Sequence, residues 1–344
     1  MENGKLMSKS YSRHALAAFT FLMAAMGLQI FSAFVLSKVL PESLTGSSAW
    51  TFLNIIVPEY VLGFPLFLLI TFKMDTKAPE KNKFGFGKFL IGLFMTAGVI
   101  GIGAAIGFPT HLLILKLEGK SLMDNMGLAG IMLGSNAFWR ILTVGILAPI
   151  VEEIVFRKFL IDRTYKYGEF VAVLTSGLMF GLFHGNFTQF FFATLMGFVM
   201  AYIYIRTGKI WITIAYHMII NLTTSVITIG VFSLLDMEKI SKMTELAQEV
   251  MADGGQNAAL MEEYTKIMAE VLPSMLLYYG WLGFLGLVIL TGIIIWIVIL
   301  VKKKIKFQPT EAQVEGGVKF AWGNVGMILF VVGCLAVFVI NYLP

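Results

Sequence analysis

Apolar runs about as long as a bilayer is thick recur along nearly the whole chain, and no other feature constrains its fold so strongly. A helix needs roughly 20 predominantly apolar residues to cross the hydrocarbon core. Such runs occupy residues 15–37, 49–72, 88–109, 130–151, 169–185, 188–205, 210–234, 273–301 and 318–343. The expected fold class is therefore all-α, a polytopic transmembrane helical bundle of about eight or nine spans. Composition agrees: 58% of the 344 residues are hydrophobic, 14% are charged and the mean hydropathy is +0.81, whereas soluble domains are about 25% charged. The first run is longer than a signal-peptide core, so it reads as a retained span.

Charge sets the expected orientation. Lys and Arg gather in alternate connections: Lys5, Lys9 and Arg13; Lys73, Lys77, Lys81, Lys83 and Lys88; Arg157, Lys158, Arg163 and Lys166; Arg206 and Lys209; and Lys302, Lys303, Lys304 and Lys306. The longest intervening segment, Asp236 to Glu270, holds eight acidic residues against Lys239, Lys242 and Lys266. The positive-inside rule places the N-terminus in the cytoplasm and the acidic segment outside, in a multi-pass protein of the cell membrane. Four regions follow: N-terminal helices at 1–130, a core at 131–235, an acidic extracytoplasmic loop at 236–272 and C-terminal helices at 273–344. The basic residues serve topology, and with no basic stripe or reading module no nucleic-acid partner is expected. The expected partners are the lipid bilayer and a peptide or protein substrate entering from it. Cys334 is the only cysteine, so an internal disulfide and a thiolate zinc site are both excluded.

Ionisable side chains are costly inside a bilayer, which makes each one a candidate for function. Glu59, Arg140, Glu152, Glu153, His184 and His217 qualify, and four of them share one central stretch. On a helix starting after Pro149, Glu152 and Glu153 point about 100° apart. Glu153 and Arg157, four residues apart, are neighbours on one face and form an expected ion pair, which leaves Glu152 to face a cavity. Counting from Lys166, Glu152 lies about 21 Å deep at 1.5 Å per residue, and His184 returns to a matching depth of about 22 Å after a turn at Gly168. His217 and Asn221 share a helix face. His217, however, is only about 12 Å from Lys209 along a helix, so it meets the other two only if residues 207–211 dip into the membrane. Gly177, Gly181 and Gly185 form a small-residue ridge suited to close helix packing. Asn186, Thr188 and Gln189 read either as a helix cap or as a wall of the site.

These stretches together resemble the three motifs of the CAAX-protease and bacteriocin-processing family, the intramembrane glutamic endopeptidases of the Abi type. Glu152, Glu153 and Arg157 match the first motif, Phe180 and His184 the second, and His217 and Asn221 the third, over roughly residues 145–225. The resemblance implies peptide-bond hydrolysis on prenylated, leader or signalling peptides. On this reading Glu152 and His184 activate a water, and His217 and Asn221 stabilise the oxyanion. Arg157 pairs with Glu153, and Phe180 packs beside the site. No cofactor is expected. Zinc is the competing mechanism, since two His and a Glu can ligate it, but the compact HExxH signature is absent. Two other classes stay open: a non-catalytic scaffold or immunity factor carrying the same motifs, and a transporter, suggested by Glu59 and Arg140.

Overall fold

The computed structural model describes residues 2–120 and 136–342, so the expected boundary between residues 130 and 131 lies outside the described residues. Among the described residues all regular structure is helical. The helices are α1 (Glu2–Val39), α2 (Ala49–Thr71), α3 (Phe86–Leu117), α4 (137–164), α5 (Glu169–Phe183), α6 (Phe187–Thr207), α7 (Ile210–Phe232), α8 (Met237–Asp253), α9 (Ala258–Val301), α10 (Gly317–Trp322) and α11 (Val325–Tyr342). Seven of them, α1, α2, α3, α6, α7, α9 and α11, are long and apolar enough to cross a membrane. The other two expected spans are α5, which is apolar but has 15 residues, and α4, which carries seven acidic or basic side chains. The chain is a multi-pass membrane protein.

The basic connections meet at one end of the bundle. Lys77 N–H donates to Asp162 O at 2.6 Å, Asn82 N–H to Thr207 O at 3.0 Å, Ala312 N–H to Lys166 O at 3.2 Å and Val314 N–H to Tyr167 O at 3.1 Å. Glu169 accepts from Arg206 at 3.0 and 2.6 Å. Segments 72–85, 162–169, 206–209 and 302–316 thereby form one layer. This is the arrangement that alternation of basic loops demands of antiparallel spans.

Two pairings position the centre of the bundle. α4 and α5 form the expected hairpin, turning at Gly168, whose φ of +147° lies in the region open to glycine. Ser176 Oγ donates to Phe156 O at 2.8 Å, and the Phe156 ring stands 5.4 Å from Phe180 and 5.3 Å from Phe183. α2 runs parallel to α4. Phe52 stacks on Trp139, Phe67 meets Phe159 edge-on at 5.6 Å, and Arg163 Nη2 donates to Thr71 O at 3.2 Å. The glycine ridge is packing surface: a Cβ on Gly177 would strike Phe198, and one on Gly181 would strike Thr194, both on α6.

The acidic segment is a helical hairpin. α8 is capped by Asp236, which accepts from Lys239 N–H at 3.0 Å, and lays Leu246 against Ile267 and Val271 of α9. With 44 residues α9 extends about 66 Å, twice a hydrocarbon core, so its first turns pair with α8 beyond the apolar zone.

Candidate active site

The site is built by α4, α5 and α7, around the ring of Phe180. The expectation that a helix starts after Pro149 is corrected, because α4 begins at Ala137 and runs through the proline. The reason is a π-helical stretch at Ile141–Leu147. Its wider turn accommodates a ring that an α-turn would press against the carbonyl four residues back. Ala148 N–H reaches Thr143 O. In that pattern the next carbonyl, Val144 O, would be met by the nitrogen of Pro149, which carries no hydrogen. Asn221 Nδ2 donates to Val144 O instead, at 2.9 Å.

Glu152 and Glu153 point to different surroundings, as the 100° step requires. Glu153 is fully buried and pairs with the equally buried Arg157, Oε1 to Nη1 3.2 Å. The Arg157 guanidinium also lies over the Phe180 ring, 4.2 Å from its centroid. Glu153 Oε1 accepts from His217 Nδ1 at 3.1 Å, and the Thr213 hydroxyl, one turn before His217, donates to Ile210 O at 3.0 Å. Glu152 keeps 21% of its side chain accessible, and its Oε2 stands 3.6 Å from His217 Nε2, beyond hydrogen-bonding range. His217, 3% exposed, therefore lies between the two carboxylates, bonded to the sealed one and facing the open one.

His184 ends α5. Its Nδ1 lies 2.8 Å from Phe180 O; a carbonyl can only accept, so Nδ1 carries the proton and Nε2 presents a lone pair. The His184 and His217 rings both meet Phe180 edge-on, at 4.8 and 5.7 Å. Asn186 is a cap: its Oδ1 accepts from Gln189 N–H at 2.9 Å at the start of α6, which decides between the two readings of that segment.

The α6–α7 turn is not the outermost layer of the basic end. Gly208, at φ +61°, lies under the backbone of Pro79 and Glu80, and a Cβ there would collide with both carbonyls. Residues 79 and 80 thus cover the α6–α7 turn.

Thr213 was not singled out from sequence, and Glu59 was singled out without its place beside Glu152. Thr213 completes a stripe with His217 and Asn221 at i, i+4 and i+8, a polar line on an apolar helix that the sequence displays. Glu59 lies in a π-helical stretch of α2 at Val57–Gly63, near enough to Glu152 for the two carboxylates to repel each other when both are charged. The parallel register of α2 and α4 places it there. Among the described residues no three His, Cys, Asp or Glu side chains converge as a metal-binding group.

A family model described as type II CAAX prenyl endopeptidase Rce1-like matches residues 134–223. By this match the centre of the chain is a CAAX-protease-type segment. It contains all seven motif residues and excludes Glu59. The "Putative membrane peptidase YdiL" of Bacillus subtilis (strain 168) is 39% identical over 82 residues, which are 24% of this chain and 34% of that protein. The alignment thus spans about a third of the relative's length. No solved structure matches.

Proposed function

We propose that this protein is an intramembrane endopeptidase of the cell membrane, with its N-terminus in the cytoplasm, that hydrolyses membrane-associated peptides of the leader or prenylated type. The reading is supported by the CAAX-protease-type segment and by the relative named as a membrane peptidase. The single observation that carries it is the asymmetry of the two glutamates: Glu153 is sealed between Arg157 and His217, whereas Glu152 keeps part of its side chain exposed and turns a buried Oε2, with no hydrogen-bond partner among the described residues, toward His217 Nε2.

Glu152 takes a proton from a water that His184 Nε2 holds through its other hydrogen, and the hydroxide oxygen bonds to the scissile carbonyl carbon. The oxyanion draws on the second N–H of the Asn221 amide, the first being held by Val144 O, and on Nε2–H of His217 in its protonated form, whose charge faces Glu152 before the attack and the oxyanion after it. The C–N bond then breaks as Glu152 returns the proton to the leaving amine. Arg157 and Phe180 hold the helices in register. No step uses a metal.

Glu152→Gln tests this reading. It preserves size and removes the base, so insertion and protein level should persist while cleavage falls by about 10² to 10⁴. The measurement is a proteomic comparison of membrane-associated peptides in wild-type and variant cells. An unchanged peptide profile with retained biological activity would establish the scaffold reading instead.

A further inference from the structure

Three helices meet at the basic end around a space they do not fill. α3 packs on α9 where Gly98 and Gly292 bring the two backbones together, and on α6 where Gly103 lies against the backbone of Phe192. Such small-residue contacts let membrane helices approach closely. On the basic-end side of these contacts a cavity of about 320 Å³ lies between α3, α6 and α9. Ile91, Met95, Val199, Ile203, Trp296 and Ile299 make it apolar. The one polar atom of Trp296, Nε1, is already donated to Met95 O at 2.9 Å.

Three cations complete the lining: Lys88, Arg206 and Lys304. Arg206 is committed to Glu169 through both terminal nitrogens. Lys88 and Lys304 are exposed, and among the described residues neither has an acidic partner. The cavity therefore couples an apolar channel inside the helical zone to two available ammonium groups at its end, in the layer where all the basic loops gather.

We propose that this cavity binds one anionic glycerophospholipid, an acyl chain lying along the apolar wall and the headgroup phosphate bridging Lys88 and Lys304. A neutral lipid would cover the wall but leave both lysines unpaired, and inorganic phosphate would do the reverse. Basic pockets between helices on the face that carries the basic loops suit anionic headgroups for this reason. The site is separate from the glutamates and does not depend on the peptidase reading.

The test uses the full-length protein reconstituted with mixed phosphatidylglycerol and phosphatidylcholine. Native mass spectrometry should find one phosphatidylglycerol retained per chain, and the variant Lys88→Gln/Lys304→Gln should lower that retention about tenfold or more. Both lysines are exposed, so the variant should remain folded and monodisperse. Phosphatidylglycerol brominated on its acyl chain should quench wild-type fluorescence beyond what it quenches in Trp296→Phe, and brominated phosphatidylcholine should not. Equal retention of the two lipids, insensitivity to the lysine substitutions, or a co-purifying peptide in place of the lipid would overturn the proposal.

Discussion

Glu153 and His217 are joined through Oε1 and Nδ1 at 3.1 Å, and the same carboxylate oxygen stands 3.2 Å from Arg157 Nη1. One oxygen thus fixes both the α4 face that carries Glu152 and the α7 ring that faces it.

Removing one member of that pair strands a buried charge. Arg157→Met or Glu153→Gln should each cost about 3 to 5 kcal/mol, visible as lower abundance and an earlier unfolding midpoint. The double variant should lose less than the sum of the two, since no lone charge remains. Singles with wild-type abundance would mean that the pair has no structural role.

Asn221→Ala separates an oxyanion role from a purely helix-tying one. If the free amide hydrogen serves the oxyanion, turnover should fall by about 10² to 10³ with substrate binding nearly intact. Loss of stability with turnover spared would leave only the bond to Val144. The same preparations report on zinc: wild-type activity should survive chelation. Stoichiometric metal that disappears with His217→Ala and restores activity on return would replace the glutamate mechanism.

Glu59 lies outside the family segment yet interacts with Glu152. Glu59→Gln should alter turnover in the wild type and have no further effect in a Glu152→Gln background, because residues that act through one another are not additive. A full additional loss in that background would show that Glu59 acts independently of Glu152.

Orientation is checked with single cysteines in a background where buried Cys334 is replaced by Ser. Cysteines at Lys83 and Lys303 should react only from the cytoplasm, and one at Glu249 on α8 only from outside. The opposite pattern would invert the whole molecule.

The α4–α5 hairpin was legible because a fixed rise per residue converts counting into depth: Glu152 and His184 were placed level from Lys166 and Gly168 alone. The place of His217 was not, since residues 79–82 cover the α6–α7 turn, a contact between segments more than a hundred residues apart. The proximity of Glu59 to Glu152 was hidden for a similar reason. It follows from α2 and α4 running parallel, which no local pattern states. Two further histidines, His14 edge-on to Phe67 and His111 bonded to Tyr342, serve packing, the ordinary fate of a buried imidazole.

Pro149 touches no reacting atom, yet its missing hydrogen leaves Val144 O for Asn221 to take. Replacing it with alanine would restore a main-chain rival for that carbonyl three residues before Glu152. The side-chain amide would then be free to rotate, so a change that straightens one helix would disarm a residue on another.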